Sequence, residues 1–276
     1  MKIAIAYIWV ERPSSRIALP DDWMNRLKKF VDSFTESEGI NSADLFICSS
    51  GSPLSEKSLQ ILENIKYSSI EYYGSGWDIG AYQHMARYLI SYDFTIFLNS
   101  NISFNTINWY KNFTEAFKKY GYGVYGASSS FEVSPHIRTS CIATPAKLLL
   151  DYPLAVKTRY EGCIFEHSPK NFSIWAKGQG YKVAIVTPTI VLDLQESRSY
   201  PNVFRRGDQS ECFISDRHTQ IYSLSNKVNK KRLEELADGV IRNDFRYLSK
   251  FRNNLTKAIN LYYVFKNIIQ RYFDIK

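Results

Sequence analysis

Apolar and polar positions along this chain change period in alternating blocks. Residues 2–10 are an almost unbroken run of Ile, Ala, Val and aromatics, which predicts a strand buried on both faces. Pro20, Asp21 and Asp22 then offer a helix start ahead of Trp23, Leu27, Phe30, Val31 and Phe34, apolar residues about one helical turn apart. The alternation repeats, with a strand over 43–48, a helix over 55–65 opened by Ser55 and Glu56, a strand over 69–73, a helix over 80–90 and an apolar strand over 92–98. Strands alternating with helices of this length predict βαβ units, a largely parallel sheet and right-handed crossovers.

Beyond residue 101 the pattern loosens towards α+β. It predicts a helix over 109–120, strands over 123–127 and 136–142, a helix from Pro145, another from about Asn171 to Gly178, and a strand over 181–187. Residues 195–208 form a polar loop rich in Arg. From Asn226 onwards the sequence is helical and charged. This divides the chain into an α/β domain over residues 1–225 and a basic amphipathic helical tail over 226–276.

The tail carries most of the charge. From Ile241 there are eight Lys or Arg against two Asp, a net of six out of the chain's +8, while Leu248, Phe251, Leu255, Ile259, Tyr262, Phe265, Ile269 and Tyr272 recur at spacings of three and four. One apolar stripe ringed by cations suits an anionic membrane surface, and the same stripe serves a homodimer through the C-terminal helices. Nucleic acid is disfavoured, because the excess positive charge is confined to the tail and no nucleic-acid motif accompanies it. Cys48, Cys141, Cys163 and Cys212 show no C-x-x-C spacing, so reduced thiols in a cytoplasmic protein are expected. Glu11 and Arg12 cut the first apolar run short, which makes it a strand and not a leader. No run is long enough to span a bilayer.

In an open α/β sheet, ligands bind outside the carboxyl ends of the strands. Two polar clusters fall there. Gly74-Ser-Gly-Trp-Asp-Ile-Gly-Ala-Tyr82 follows the third strand and brackets Asp78 with Gly76 and Gly80, while Asn99-Ser100-Asn101 ends the fourth. Glycines at a strand-to-helix turn let backbone approach an anionic ligand.

These segments, with Pro135-His-Ile-Arg-Thr-Ser140, Phe165-Glu-His-Ser168 and Gly180-Tyr-Lys-Val183, resemble bacterial glycosyltransferases of the GT-A fold, particularly the group related to rhamnan synthesis proteins of cell-surface polysaccharide loci. The resemblance covers about residues 1–225. It implies a Rossmann-like, mostly parallel sheet flanked by helices, a nucleotide-sugar donor and a glycan or lipid-linked acceptor; the basic tail would hold the chain at the inner face of the cytoplasmic membrane. It also implies a metal-binding Asp-x-Asp where this chain has Asn99-Ser100-Asn101. Both carboxylates are amides, which hold Mn or Mg poorly, so a metal would have to use Asp78 or Asp208.

Sugar transfer needs a base for the acceptor hydroxyl and donors for the departing diphosphate. The resemblance places Glu166 as that base, with His167 beside it and Asp208 as the alternative; the competing reading is that Glu166 caps the following helix. Arg205 and Arg206, on the late polar loop, are expected to close over the diphosphate. Asp78, Gly76, Gly80, Asn99 and Asn101 line the donor side with Trp9 at the nucleotide base, and His136 and Arg138 line the acceptor side. A base-assisted attack implies inversion. The contrasting reading is a non-catalytic, membrane-associated nucleotide-sugar-binding or scaffold protein. A nucleotidyltransferase would need a Gly-rich basic loop after the first strand, where Ile8-Trp-Val-Glu-Arg-Pro-Ser-Ser15 has none.

Overall fold

The computed structural model describes residues 1–11, 23–37, 39–100 and 102–240. Asn101 and the basic stretch from Ile241, including the predicted membrane-facing stripe, lie outside them. In chain order the elements are β1 (Ile3–Val10), α1 (Trp23–Thr35), β2 (Ala43–Ser50), α2 (Glu56–Leu62), β3 (Ser68–Tyr72), α3 (Trp77–Ala86), β4 (Phe94–Leu98), β5 (Ser103–Phe104), α4 (Trp109–Tyr120), β6 (Gly123–Gly126), β7 (Ser129–Ser130), β8 (His136–Ile137), β9 (Cys141–Thr144), α5 (Ala146–Asp151), α6 (Arg159–His167), α7 (Phe172–Gly178), β10 (Lys182–Val186), β11 (Val191–Asp193), β12 (Ile214–Ser215), α8 (Arg217–Leu224) and α9 (Lys227–Ala237).

This is the mixed α/β architecture the pattern predicts. One eight-stranded sheet runs in the order β11-β10-β6-β9-β4-β1-β2-β3. Its β4-β1-β2-β3 half is parallel, and β9 enters antiparallel between β4 and β6. Two apolar layers cover the faces. Tyr7, Trp9, Phe30, Phe94, Trp109 and Phe113 pack on one side, and Ile8, Ile79, Tyr82, Phe97, Phe165 and Phe172 on the other. At roughly 1.5–3 kcal/mol for each fully buried large side chain, these layers dominate the stability of the fold.

Two departures from the predicted pattern shape the site. The stretch 136–142 is not one strand but two, β8 and β9, parted by Arg138-Thr139-Ser140. Helix α3 begins three residues earlier than its pattern suggests, so Gly76 is its N-cap and Asp78 lies in its first turn. The front of the predicted tail, α9, is docked on the α/β body: the Tyr222 hydroxyl donates to Glu234, and Phe131 N–H donates to the Ala237 carbonyl at 2.7 Å. Among the described residues, no helix is long and apolar enough to cross a membrane.

Candidate active site

Parallel pairing of β1 with β4 puts their carboxyl ends together, and antiparallel β9 brings its first residues to the same edge. The Asn99 N–H donates to the Ser140 carbonyl at 3.1 Å, which ties the end of β4 to the β8–β9 break. The Asn99 side-chain amide reaches Asp78 Oδ2 at 3.2 Å. Tyr82, one turn further along α3, donates its hydroxyl to the Thr139 carbonyl at 2.9 Å. The other groups of Thr139 face α6, where its N–H and Oγ1 donate to Glu166 Oε1 at 3.1 and 3.0 Å. Glu166 Oε2 lies 3.3 Å from His167 Nε2, and the His167 ring meets His136 edge-on at 4.7 Å. Four segments distant in sequence thus converge on two carboxylates.

Their environments push the two carboxyls apart. Burial raises Asp78 to about 6; the Asn99 hydrogen bond works against this, and the negative charge of Glu166 adds to it. Burial would raise Glu166 as well, but His167, His136, the Thr139 N–H and Arg138 outweigh it and hold the carboxyl at about 2. Burial lowers His136 against the raising pull of Glu166, and burial raises the Tyr82 hydroxyl so that it remains a donor. A group near 6 can accept and release a proton close to neutral pH, whereas one near 2 stays charged and is a poor base. In this geometry Asp78 suits proton transfer and Glu166 suits fixed electrostatics.

The structure gives several predicted site residues other work. Glu166 stands in the last turn of α6 and caps nothing; Asn171 caps α7 by accepting from the Ile174 N–H at 3.0 Å. Trp9 is buried in the core, its Nε1 donating to Glu11 Oε2 at 2.9 Å and to Ser58 Oγ at 3.1 Å. The room above Gly76 and Gly80 is taken by the chain itself: a Cβ at Gly80 would lie 2.2 Å from the Tyr72 hydroxyl, and one at Gly76 would lie 2.5 Å from the Val156 carbonyl. His136 is buried, with Nδ1 2.8 Å from the Ser134 carbonyl. Arg138 is buried too, paired with Asp216 at 2.7 Å and stacked 3.8 Å over Phe204, so neither residue lines an open acceptor surface. Arg205 Nη2 is 3.0 Å from His218 Nδ1, and Arg206 is ion-paired with Asp238. Those two arginines belong to the packed joint between the late loop and α8–α9, not to a hinged lid. Asp208 is exposed; its Oδ1 accepts from the Ser210 N–H at 2.9 Å, which lowers its carboxyl.

Among the described residues, the site does not fit a divalent metal. At the expected position the lone carboxylate of Asp78 faces an amide N–H donor from Asn99, and among the described residues no group of three or more His, Cys, Asp or Glu could hold an ion. Thr139, Tyr82 and Asp216 are parts of this edge that sequence reasoning missed. Thr139 sits within the quoted Pro135–Ser140 segment, but its role depends on the strand break.

No family model matches the chain, and no curated protein matches it. Similar solved structures are found. A mannosyltransferase from Pyrobaculum calidifontis in complex with GDP-Man and Mn2+ aligns with a TM-score of 0.46 at 9% identity, over 97% of this chain and 80% of that one. HddC from Yersinia pseudotuberculosis aligns at 0.39 and 12% identity, over 56% and 82% of the two chains. The galactosyltransferase LgtC in complex with donor and acceptor sugar analogs aligns at 0.37 and 9% identity, over 52% and 58%. The chemistry of this chain rests on its own residues.

Proposed function

We propose that this chain is an inverting glycosyltransferase that moves a sugar from a nucleoside-diphosphate sugar to a glycan acceptor. The observation that carries the reading is the convergence of Asp78, Asn99, Thr139 and Glu166 at the carboxyl edge of β1 and β4. The acceptor oxygen attacks the anomeric carbon, the bond from that carbon to the diphosphate oxygen breaks with its electron pair leaving on the diphosphate, and the hydroxyl proton passes to Asp78. Glu166, the base that the resemblance implies, instead stays charged, anchors Thr139 and His167, and keeps Asp78 basic. The acceptor is lipid-linked and belongs to bacterial surface-polysaccharide synthesis, as the resemblance implies. The stretch from Ile241 attaches the enzyme to the inner face of the cytoplasmic membrane.

A thermal-shift screen with UDP, GDP, CDP and dTDP, with and without manganese, tests the reading. A ligand at a hundred times its dissociation constant stabilises the fold by about 2.7 kcal/mol, and the shift should not need manganese. If no nucleoside diphosphate moves the melting point, the scaffold reading replaces this one. Flotation with anionic and neutral liposomes, comparing the whole chain with one ending near Asp238, tests attachment: anionic binding lost on truncation supports it, and equal absence of binding refutes it.

A further inference from the structure

Trp77 opens α3 with a φ of 53°, in the left-handed region that bulky side chains rarely enter. Burial does not compensate for this conformation, since the residue is 56% exposed. The guanidinium of Arg159, the first residue of α6, lies 4.4 Å over the indole. A second ring, Tyr73, is exposed four residues earlier, and Lys157 is exposed two residues before Arg159. An indole and a guanidinium therefore sit together at the N-terminus of α3, one residue from Asp78. The residues first expected to hold the donor are committed elsewhere, Trp9 to the core and Arg205 and Arg206 to His218 and Asp238.

Resting on the function proposed above, we infer that Trp77 and Arg159 bind the nucleoside diphosphate half of the donor, with the base stacked on the indole and the diphosphate against the guanidinium. A flat aromatic face tolerates any base, and a guanidinium presents paired N–H donors that match phosphate oxygens. The strained backbone turns the ring outward, where it is available to a ligand and not to the core. This places the base on α3 and not at the end of β1, with the reacting sugar carried inward towards Asp78 and Asn99.

Isothermal titration with UDP, GDP, CDP, dTDP and inorganic pyrophosphate tests the inference on the full chain and its variants. Trp77→Ala should weaken the tightest nucleoside diphosphate by about tenfold or more, the scale of one lost stacking contact, and leave pyrophosphate unchanged. Trp77→Phe should stay within about threefold of the parent, and Arg159→Ala should weaken both ligand classes. Trp77→Gly, which accepts a positive φ without strain, should melt no lower than Trp77→Ala while binding equally poorly, so that lost affinity is not mistaken for a damaged fold. Nucleoside diphosphate affinity within twofold of the parent in Trp77→Ala would overturn the inference and leave the indole to the acceptor. If the parent binds no nucleoside diphosphate, the proposed function fails, and the inference falls with it.

Discussion

Replacing Asp78 with Asn should stabilise the fold and stop the reaction. The carboxyl moves from 3.8 to about 6 in the folded protein, and at 1.36 kcal/mol per unit a shift of about two units corresponds to at most about 3 kcal/mol. Asp78 is half-buried and hydrogen-bonded to Asn99, so solvent screening reduces the expected gain to about 2 kcal/mol at pH 7.5. The sign follows from linkage. A carboxyl whose folded value is raised opposes folding while it is charged; as pH falls through about 6 the folded protein takes up the proton and gains stability, until the unfolded chain titrates near 4 as well. Burial lowers His136, which titrates in the opposite sense over part of this range, so the informative quantity is the difference between variant and parent. Urea unfolding followed by tryptophan fluorescence at pH 5.0 and 7.5 reads it directly. Asp78→Asn should exceed the parent by about 2 kcal/mol at pH 7.5 and by about half as much at pH 5.0, with the same m-value. Its turnover should fall by about a hundredfold or more. An advantage that does not change with pH, or no advantage at pH 7.5, would refute the assignment of a raised Asp78 carboxyl.

Other substitutions probe the groups around it. Asp216→Ala leaves Arg138 buried without its partner and removes the carboxylate that caps α8 through the His218 and Thr219 N–H groups, so a loss of about 3–5 kcal/mol in urea unfolding is expected. Glu166→Gln keeps an acceptor for Thr139 but removes the charge that raises Asp78; the acid limb of the rate profile should shift to lower pH, and an unmoved limb would separate the two carboxyls. Below pH 4 the parent should lose stability steeply, since Glu166 and Asp216 are both held at about 2 and their contributions, present above their unfolded values, vanish as pH falls towards 2. Gly80→Ala should destabilise by about 1–3 kcal/mol despite better helix propensity, because its Cβ meets the Tyr72 hydroxyl, and Tyr72→Phe in the same chain should recover part of the loss.

The elements most legible in the sequence are those whose ends are set by neighbours in the chain. The helix over 109–120 has the bounds its pattern predicts because Gly121, at a φ of 76°, ends it. Ser55, Asn171 and Asn226 each cap a helix where the polar-to-apolar change suggests a start. Helix α3 starts at Trp77 and not at Gly80 because that Trp takes a conformation normally left to glycine, which no residue pattern signals. The late loop reads as open because its arginines are polar in sequence; what engages Arg206 is Asp238, 32 positions away, and no local pattern encodes that pair.

The same separation governs the site. The Thr139–Glu166 contacts span 27 positions, Tyr82 reaches Thr139 across 57, and Asp78 meets Asn99 across 21. Residue type alone marks two carboxylates near a sheet edge, and the resemblance favours Glu166 because it stands at the expected place. What separates their roles is the polar shell, which forms only when the break between β8 and β9 swings Thr139 over α6. Two histidines and an N–H gather on Glu166 and keep it charged; that charge then bears on Asp78, whose one hydrogen bond among the described residues is weaker than the burial opposing it. The separation of the two carboxyls is therefore a property of the fold, and removing the Glu166 charge should move Asp78.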